Sequence, residues 1–432
     1  MKNFLQRMSA PQIIALGFAL TILLGSGLLM LPCCVRDGVT LHYIDALYTS
    51  TSAVCVTGLI AVDSADTFTG IGQALLAVLI QIGGLGVTTV GAGVILAAGK
   101  KMDLKSRNVI REAVNMNSGK GIVALLRHIF FATLLFEFLG AALCFPVFLQ
   151  DYPAGKAIGI SVFHSIAAFN NSGFDILGGM RNLAPYAENV PLNLLTCLLI
   201  FLGGIGFLVI REVWVKKFRW KSLSMHTRVV LTMSALLIAA GTVLLKWTEP
   251  ISWLSALFHS VSARTAGFST VSLGTFSSAG RLVMIVLMFI GASPGSTGGG
   301  IKTSTVFALF QGIKSAATNK EEKAFRYAVP RDAFRKAAVI LVLALSVVLA
   351  GTFALLLLEP SVPFSDALFE ITSAFGTVGL STGITPGLGI GAKLLSVLIM
   401  YIGRLGPLTV ASMWYFSRGE RVRFAEGNLV IG

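Results

Sequence analysis

A short glycine-containing stretch occurs four times between long apolar runs, and this repetition constrains the fold more than any other feature. The central glycines are separated by 115, 94 and 112 residues, and each is followed by Leu or Phe. The stretches are Thr51–Leu59, Ala168–Phe174, Ala263–Phe268 and Ala374–Leu380, centred on Gly58, Gly173, Gly267 and Gly379. Because self-similarity along a chain marks a repeat architecture, we predict four copies of one structural unit.

The surroundings of each glycine also repeat in order. A long apolar run comes first, then a short amphipathic segment, then the glycine, then a second long run. The first runs are 12–31, 122–148, 229–246 and 337–358, and the second are 71–98, 191–210, 281–311 and 391–416. The short segments are Ile44–Ser52, Ile160–Ala167, Trp253–Ser262 and Phe364–Ser373. Runs near 20 apolar residues span a bilayer, whereas the short segments cannot.

We therefore predict an all-α membrane protein with a fourfold pseudo-symmetric repeat of helix, pore half-helix, filter loop and helix. This arrangement gives eight transmembrane helices and four re-entrant loops. The repeats are assigned to residues 1–99, 100–213, 214–312 and 313–432. The second repeat begins with a basic cytoplasmic linker, the third contains a gate loop, and the fourth ends in a C-terminal tail.

Composition and charge agree with a membrane location. Hydrophobic residues make up 55% of the chain and charged residues 12%, against about a quarter charged in soluble domains. A net charge of +14 would suggest nucleic acid as a partner of a soluble protein. Here the basic residues cluster after Gly99, Ile210 and Gln311 and near both termini. Since Lys and Arg concentrate in cytoplasmic loops, we expect both termini and these three linkers on the cytoplasmic side.

The first apolar run raises the alternative of a signal peptide, because Lys2 and Arg7 precede it. The run is about 20 residues long, which exceeds a signal-peptide core. We therefore expect it to be the first transmembrane helix. The five cysteines show no metal-ligand spacing and no even-numbered disulfide pattern.

The glycine loops have a chemistry suited to cations. Non-helical backbone at membrane depth is tolerated only inside protein or around a water-filled cavity. Rings of backbone carbonyls can replace the hydration shell of potassium, and glycine adopts the backbone angles that such loops need. Four converging loops would thus offer uncharged oxygen ligands to an ion, with the half-helix C-termini directed towards it.

The loops and the motifs that follow them resemble the Trk/Ktr/HKT superfamily of potassium transporters, and within it the membrane subunit of bacterial Ktr potassium uptake systems. VCVTGL (54–59), FNNSGF (169–174), RTAGF (264–268) and FGTVGL (375–380) resemble its filter segments. GASPGSTGGGIKTST (291–305) and IGRLGPLT (402–409) resemble its third and fourth inner-helix signatures. The resemblance covers nearly the whole chain.

The resemblance implies potassium uptake across the bacterial plasma membrane, with a potassium ion in the filter and sodium as a possible second ion. A glycine in all four loops is the family's potassium-permeable pattern, whereas serine in the first marks sodium-selective relatives. The ion-binding residues implied are Val56, Thr57, Gly58, Asn171, Ser172, Gly173, Thr265, Ala266, Gly267, Thr377, Val378 and Gly379. No covalently bound cofactor is expected.

The resemblance also implies a gate and partners. The gate residues would be Gly291, Ser293, Pro294, Gly295, Ser296, Thr297, Gly298, Gly299, Gly300, Lys302 and Arg404. Pro294 and the glycines exclude a continuous helix there, while the counterparts in the other repeats, 82–86, 202–206 and 402–406, read as helix. The implied partners are a second copy of the chain, with the tail Asn428–Gly432 near the dimer interface, and an octameric cytoplasmic ring that binds ATP or ADP.

Several residues allow two interpretations. Arg404 lies in an apolar helix, where it is either a barrier in the ion path or a structural ion pair with Glu137. Lys302 either marks the cytoplasmic boundary or holds the gate loop shut. Asn170 and Asn171 either coordinate ions or stabilise the turn; we expect the latter.

Other polar residues also have structural alternatives. We expect packing or hydrogen-bonding roles for His164, His259 and Cys55. Acidic residues outnumber basic ones on the predicted outer side, which indicates either a cation-attracting mouth or ordinary solvation. The acids are Asp37, Asp45, Asp63, Asp66, Asp151, Asp175, Glu188, Glu249, Glu359, Asp366 and Glu370.

Two other function classes fit the sequence less well than a pore. A cation-coupled secondary transporter of another small solute would also use broken helices, but such folds usually contain inverted repeats. Here each repeat has two spans and keeps one orientation. An enzyme is not expected, because the chain contains no HExxH, paired carboxylates or nucleophile motif, and no nucleotide-binding motif.

Overall fold

The structure, a computed structural model, describes residues 8–97, 109–112 and 121–413. The tail Asn428–Gly432 and the linker residues Lys100, Lys101, Lys105 and Arg107 lie outside these ranges. Within them the fold is almost entirely helical, with one antiparallel hairpin of β1 (Lys323–Ala324) and β2 (Tyr327–Ala328). The all-α prediction is confirmed.

The helices follow the predicted fourfold order. The first unit contains α1 (Ala10–Leu29), α2 (Tyr43–Val54), α3 (Ser64–Thr67), α4 (Gly70–Leu85) and α5 (Val87–Ala97). The second contains α6 (Ile122–Phe148), α7 (Ala154–Phe169), α8 (Val190–Gly204) and α9 (Phe207–Val215). The third contains α10 (Met225–Thr248), α11 (Trp253–Ser262), α12 (Ser278–Phe289) and α13 (Thr303–Thr318). The fourth contains α14 (Ala333–Leu358), α15 (Phe364–Gly376), α16 (Ile390–Leu405) and α17 (Pro407–Ser412).

The first helix of each unit, called the outer helix, is long and apolar enough to cross a membrane. These are α1, α6, α10 and α14, with 20 to 27 residues and mean hydropathy of 2.0 to 2.8. The short helices α2, α7, α11 and α15 are the predicted half-helices, and each ends just before its glycine. The exact boundaries between the four repeats stay a prediction.

The second apolar run of each unit, called the inner segment, is broken in all four units. The pairs α4–α5 and α8–α9 are bent by 96° and 97°. Gly86, Gly206 and Gly406 lie at three of the breaks with φ near +90°, a conformation that ends a helix and that glycine adopts without strain. The prediction that 82–86, 202–206 and 402–406 are continuous helix is therefore wrong.

Outer helices and half-helices are joined by a repeated serine–glycine contact. In three units a half-helix serine donates to an outer-helix carbonyl: Ser50 to Ile22 at 2.7 Å, Ser165 to Glu137 at 2.6 Å, and Ser260 to Ile238 at 2.8 Å. Three residues after each carbonyl stands a glycine whose missing side chain makes room for that serine: Gly25, Gly140 and Gly241. In the fourth unit Gly351 packs on Ile371 instead. This contact was not predicted from the sequence.

A buried ion pair connects the first unit to the fourth and closes the circle of repeats. Lys393 of α16 donates to Asp45 of α2 at 2.7 Å, and both residues are over 90% buried. Nearby, the hydroxyls of Tyr48 and Ser396 lie 3.1 Å apart between the same two helices. The contact fixes the half-helix of one unit to the inner segment of another.

We expect Lys393→Met to destabilise the fold by about 3–5 kcal/mol, because it leaves the Asp45 carboxylate buried without its partner. Thermal unfolding of the purified protein in detergent measures this. Lys336→Met is the matched control, since its pair with Asp332 is largely exposed and should matter little. Equal melting temperatures for the two variants would contradict the stabilising role of the buried pair.

Candidate ion pathway

The four central glycines form a closed ring in which each one lies against the next loop. A Cβ atom at Gly58 would collide with the carbonyl oxygen of Ser172, and one at Gly173 would meet that of Ala266. In the same way, Gly267 faces the carbonyl oxygen of Val378, and Gly379 faces that of Thr57. The contacts run from the first loop to the second, third and fourth and back to the first. No residue with a side chain fits at these positions without displacing backbone.

Each loop has a left-handed backbone at the glycine and two residues before it. The glycines have φ between +69° and +92°. The earlier positions are Val56, Asn171, Thr265 and Thr377, with φ of +57°, +58°, +71° and +49°. Non-glycine residues rarely adopt this conformation, and its recurrence at one register position in all four loops marks a constrained functional segment.

In the glycine loops the backbone amide before each glycine has a hydrogen-bond partner, whereas the carbonyls of the two residues before it have none among the described residues. The residue before each glycine donates its N–H to the half-helix end: Thr57 to Ser52 at 2.7 Å, Ser172 to Ala167 at 2.9 Å, Ala266 to Ser262 at 2.9 Å, and Val378 to Ser373 at 2.9 Å. Among the described residues, no donor reaches the carbonyls of the two residues before each glycine. These eight oxygens are acceptors without partners in a buried site.

The third loop is one residue shorter than the second, counted from the half-helix histidine. The structure absorbs the difference at the half-helix end, where Ala266 bonds to a residue four positions earlier instead of five. Gly267 still takes its place in the ring. The fourfold symmetry is therefore approximate in the turn and retained at the glycines.

All predicted ion-binding residues lie together in these loops, and those with side chains are fully buried. Asn170 stabilises the turn: its amide donates to Gln81, Glu137 and the Ile166 carbonyl, each at 2.9 Å. His164 lies 2.9 Å from the Thr196 hydroxyl, and His259 bonds to the Ser255 carbonyl at 2.8 Å. Within the described ranges, no group of three His, Cys, Asp or Glu residues is placed to hold a metal.

An open cavity of about 360 Å³ lies on one side of the ring, lined by Gly58, Gly267 and Gly379 together with residues 180–182 and 380–383, among others. Most of the predicted outer acids are engaged in contacts within the protein and are not free to attract cations to this cavity. Nine of the eleven accept hydrogen bonds or form ion pairs that stabilise outer loops and helix starts. Glu370, for example, accepts from Ser381 at 2.8 Å and from Thr385.

The predicted gate loop, residues 291–300 and called the gate loop below, lies on the opposite side of the ring and contacts the glycine loops directly. The Gly299 amide donates to the Thr377 hydroxyl at 2.9 Å, and Gly298 lies against the Thr265 hydroxyl. The Ser293 amide donates to the Gly204 carbonyl at 3.0 Å. The loop therefore bridges the third and fourth glycine loops and the second inner segment.

Two cations hold the gate loop from its other side. Lys302 donates to the carbonyls of Gly298 at 2.6 Å and Gly299 at 3.1 Å. Arg404 donates to the carbonyl of Thr297 and, across the molecule, to that of Gly83. The alternative of an Arg404–Glu137 ion pair is wrong, because within the described residues Arg404 donates to backbone carbonyls alone, while Glu137 accepts from Asn170.

A second open cavity, of about 540 Å³, lies beyond the gate loop and is lined by Gly84, Ser296, Gly298, Lys302 and Arg404, among others. The gate loop is thus interposed between this cavity and the ring. Lys302 contacts this loop directly, and its two alternative roles stay predictions.

Arg264 is a further buried cation, and its role was not predicted from the sequence. It directly precedes Thr265 of the third loop and donates to the Ser234 carbonyl and hydroxyl on α10, each at 3.3 Å. A positive charge beside an apolar segment is costly in a membrane, and this feature of the sequence could have identified Arg264 in advance. The contact ties the base of the third loop to its outer helix.

Half-helices ending at a central ring, with a loop beneath it, define a multi-pass membrane protein of the re-entrant-loop class. The sequence matches the family described as TrkH, cation transport protein, over residues 9–415, and the chain belongs to this family. It is 36% identical over 440 residues to Ktr system potassium uptake protein B of Bacillus subtilis (strain 168), covering 99% of this chain and 97% of that protein. It is 35% identical over 443 residues to potassium/sodium uptake protein NtpJ of Enterococcus hirae, covering 99% and 96%.

Among solved structures, the fold is similar to that of the potassium transporter TrkH from Vibrio parahaemolyticus. The TM-score is 0.74 at 18% identity, covering 95% of this chain and 86% of that one. This likeness confirms the predicted fold class.

Proposed function

We propose that the protein takes up potassium across the bacterial plasma membrane through the glycine ring, which acts as a selectivity filter of backbone carbonyls. The observation that carries the proposal is the set of eight buried carbonyls that no donor among the described residues reaches, placed in four loops that close on one another. Such oxygens can replace the water around a bare cation. The names of the relatives, which are potassium uptake proteins, agree with this ion.

The ring of four glycines favours potassium over sodium, with sodium as a second ion that the pathway could admit or respond to. The gate loop would block conduction directly beneath the ring and would open when its bonds to Thr377, Lys302 and Arg404 are released. We propose that a cytoplasmic nucleotide-binding ring controls this release. Support comes from the relatives whose names describe a Ktr system.

The proposed assembly is a homodimer in the inner membrane, with both termini and the basic linkers in the cytoplasm. The uneven distribution of Lys and Arg along the chain supports this orientation.

Potassium rescue in a bacterial host without its own uptake systems tests the function. The wild-type chain, expressed alone and with a regulatory subunit of a Ktr system, should restore growth at low potassium. Gly58→Ser should weaken the preference for potassium over sodium, measured as uptake of each ion, because its side chain would displace the Ser172 carbonyl. No rescue with the subunit, or selectivity indifferent to Gly58, would contradict the proposal.

A further inference from the structure

The segment that joins the second unit to the third exposes aromatic and basic side chains in alternation. Its exposed aromatic residues are Trp214, Phe218 and Trp220, at 61%, 66% and 42% exposure. Lys217, Arg219 and Lys221 lie among them and are also exposed. In the described part of the chain, none of these three cations forms an ion pair.

The segment is held in a fixed turn. Glu212 accepts from the Ser224 amide at 2.8 Å and from Lys216 at 2.6 Å, which joins the end of α9 to the start of α10. Lys217 and Phe218 both have left-handed backbone, with φ of +46° and +58°, and the Phe218 amide donates to the Val213 carbonyl at 3.2 Å. The turn therefore holds its large side chains outward although they find no protein core there.

The apolar helices on both sides of the turn place it at a membrane interface. Helices α8 and α9 before it together form one candidate span, bent by 97°. Helix α10 then crosses back with 24 residues, about 36 Å long, which exceeds the ~30 Å hydrocarbon core. Trp220 therefore lies at one interface and Trp247, 84% exposed, at the other, as interfacial tryptophans do.

A neighbouring hairpin extends the same surface. Phe325 at its tip packs edge-on against Trp220, with ring centroids 6.1 Å apart. Lys323, Arg326 and Tyr327 are exposed beside it. We call residues 214–221 and 323–327 the aromatic–basic patch. It contains six basic residues and no acidic one.

We propose that the aromatic–basic patch binds the headgroups of anionic phospholipids in the cytoplasmic leaflet. Unpaired Lys and Arg side chains attract anionic lipid surfaces, and aromatic rings beside them suit the headgroup layer. An acidic protein could satisfy the charge, but the exposed rings lie on a turn set between two membrane spans, which favours lipid. The assignment to the cytoplasmic leaflet rests on the orientation given under the proposed function. Lipid binding by the patch is independent of ion conduction.

Tryptophan quenching in nanodiscs tests the proposal with the full chain. Trp247, Trp253 and Trp414 are replaced by Phe, so that Trp214 and Trp220 report alone. Nanodiscs of neutral phosphatidylcholine receive a small fraction of brominated phosphatidylglycerol or brominated phosphatidylcholine. We expect brominated phosphatidylglycerol to reach half-maximal quenching at a lipid fraction at least about tenfold lower than brominated phosphatidylcholine does. The reason is that each basic residue near an anionic surface strengthens binding about fivefold.

The triple variant Lys217→Gln, Arg219→Gln, Lys221→Gln should lose this preference. The matched control is Lys314→Gln, Lys320→Gln, Arg331→Gln, which removes the same charges from exposed positions outside the patch and should keep the preference. Equal quenching by both lipids would overturn headgroup recognition. Weak quenching by both lipids would show that the patch does not contact lipid and would favour a protein partner. An equal loss of anionic preference in the two triple variants would contradict a role of the patch, because net charge alone would then explain the preference.

Discussion

Replacing Gly379 with alanine is expected to reduce potassium uptake by at least about a hundredfold, which corresponds to nearly 3 kcal/mol in the barrier. The residue has φ of +92°, and a Cβ atom there would collide with the Thr57 carbonyl and lie 2.8 Å from the Gly58 Cα atom. The first and fourth loops must then separate, which displaces the oxygens that we propose as ion ligands. Uptake of rubidium into cells or proteoliposomes measures the loss.

Gly383→Ala is the matched control for this prediction. Gly383 has a similar left-handed backbone, with φ of +102°, but a Cβ atom there meets no atom within 4 Å. Both variants place a Cβ atom on a left-handed backbone, but only Gly379→Ala brings that atom against the ring. If Gly383→Ala lost uptake to the same degree, general strain and not ring closure would explain the effect.

Replacing Arg404 with glutamine should increase ion flux about tenfold in the absence of a regulatory subunit. The guanidinium holds the gate loop through Thr297 and fixes it to the first inner segment through Gly83. Hydrogen bonds from charged groups contribute about 1.5–3 kcal/mol each, so their loss should shift the gate towards open states. Rubidium flux in proteoliposomes is the measurement.

Arg404→Lys separates the two roles of this side chain. Lysine keeps the charge in the proposed ion path but cannot reach both carbonyls with a rigid fork of donors. A rise in flux with both Gln and Lys would support the role of the Arg404 hydrogen bonds in holding the gate loop. A rise with Gln alone would indicate that the positive charge sets the barrier to ion passage. Unchanged or lower flux in Arg404→Gln would contradict both roles.

The half-helices were predictable because two independent signals coincide at each of them. Trp253–Ser262 was predicted with the observed boundaries, and Phe364–Ser373 is extended by three residues. Each segment is amphipathic, too short to cross a membrane, and followed within a few residues by a glycine. These are local properties that a sequence carries directly.

The breaks in the inner segments were not predictable in the same way. Membrane helices tolerate glycine well, so Gly86 and Gly206 could equally have continued a helix. Prolines lie at the other two breaks: Pro294 prevents a continuous helix in the third segment, and Pro407 directly follows Gly406 in the fourth. The left-handed angle at the three glycines depends on how neighbouring units pack against them.

Partners across the molecule were the least accessible to sequence reasoning. Arg404 was recognised as a costly charge, yet its partners are carbonyls of the first inner segment and the gate loop rather than Glu137. The order of the four glycines predicted that the loops meet, but the pairing of Gly58 with Ser172 depends on three-dimensional packing between chain segments over 100 residues apart.

The most direct test of the central claim is the position of the ion itself. A structure of the protein determined in thallium or rubidium should show anomalous scattering on the axis of the glycine ring. We predict a site surrounded by the carbonyl oxygens of Thr57, Ser172, Ala266 and Val378, which disappears in Gly379→Ala. Ion density elsewhere in the molecule, with none at the ring, would contradict the claim that the four glycine loops form the ion pathway.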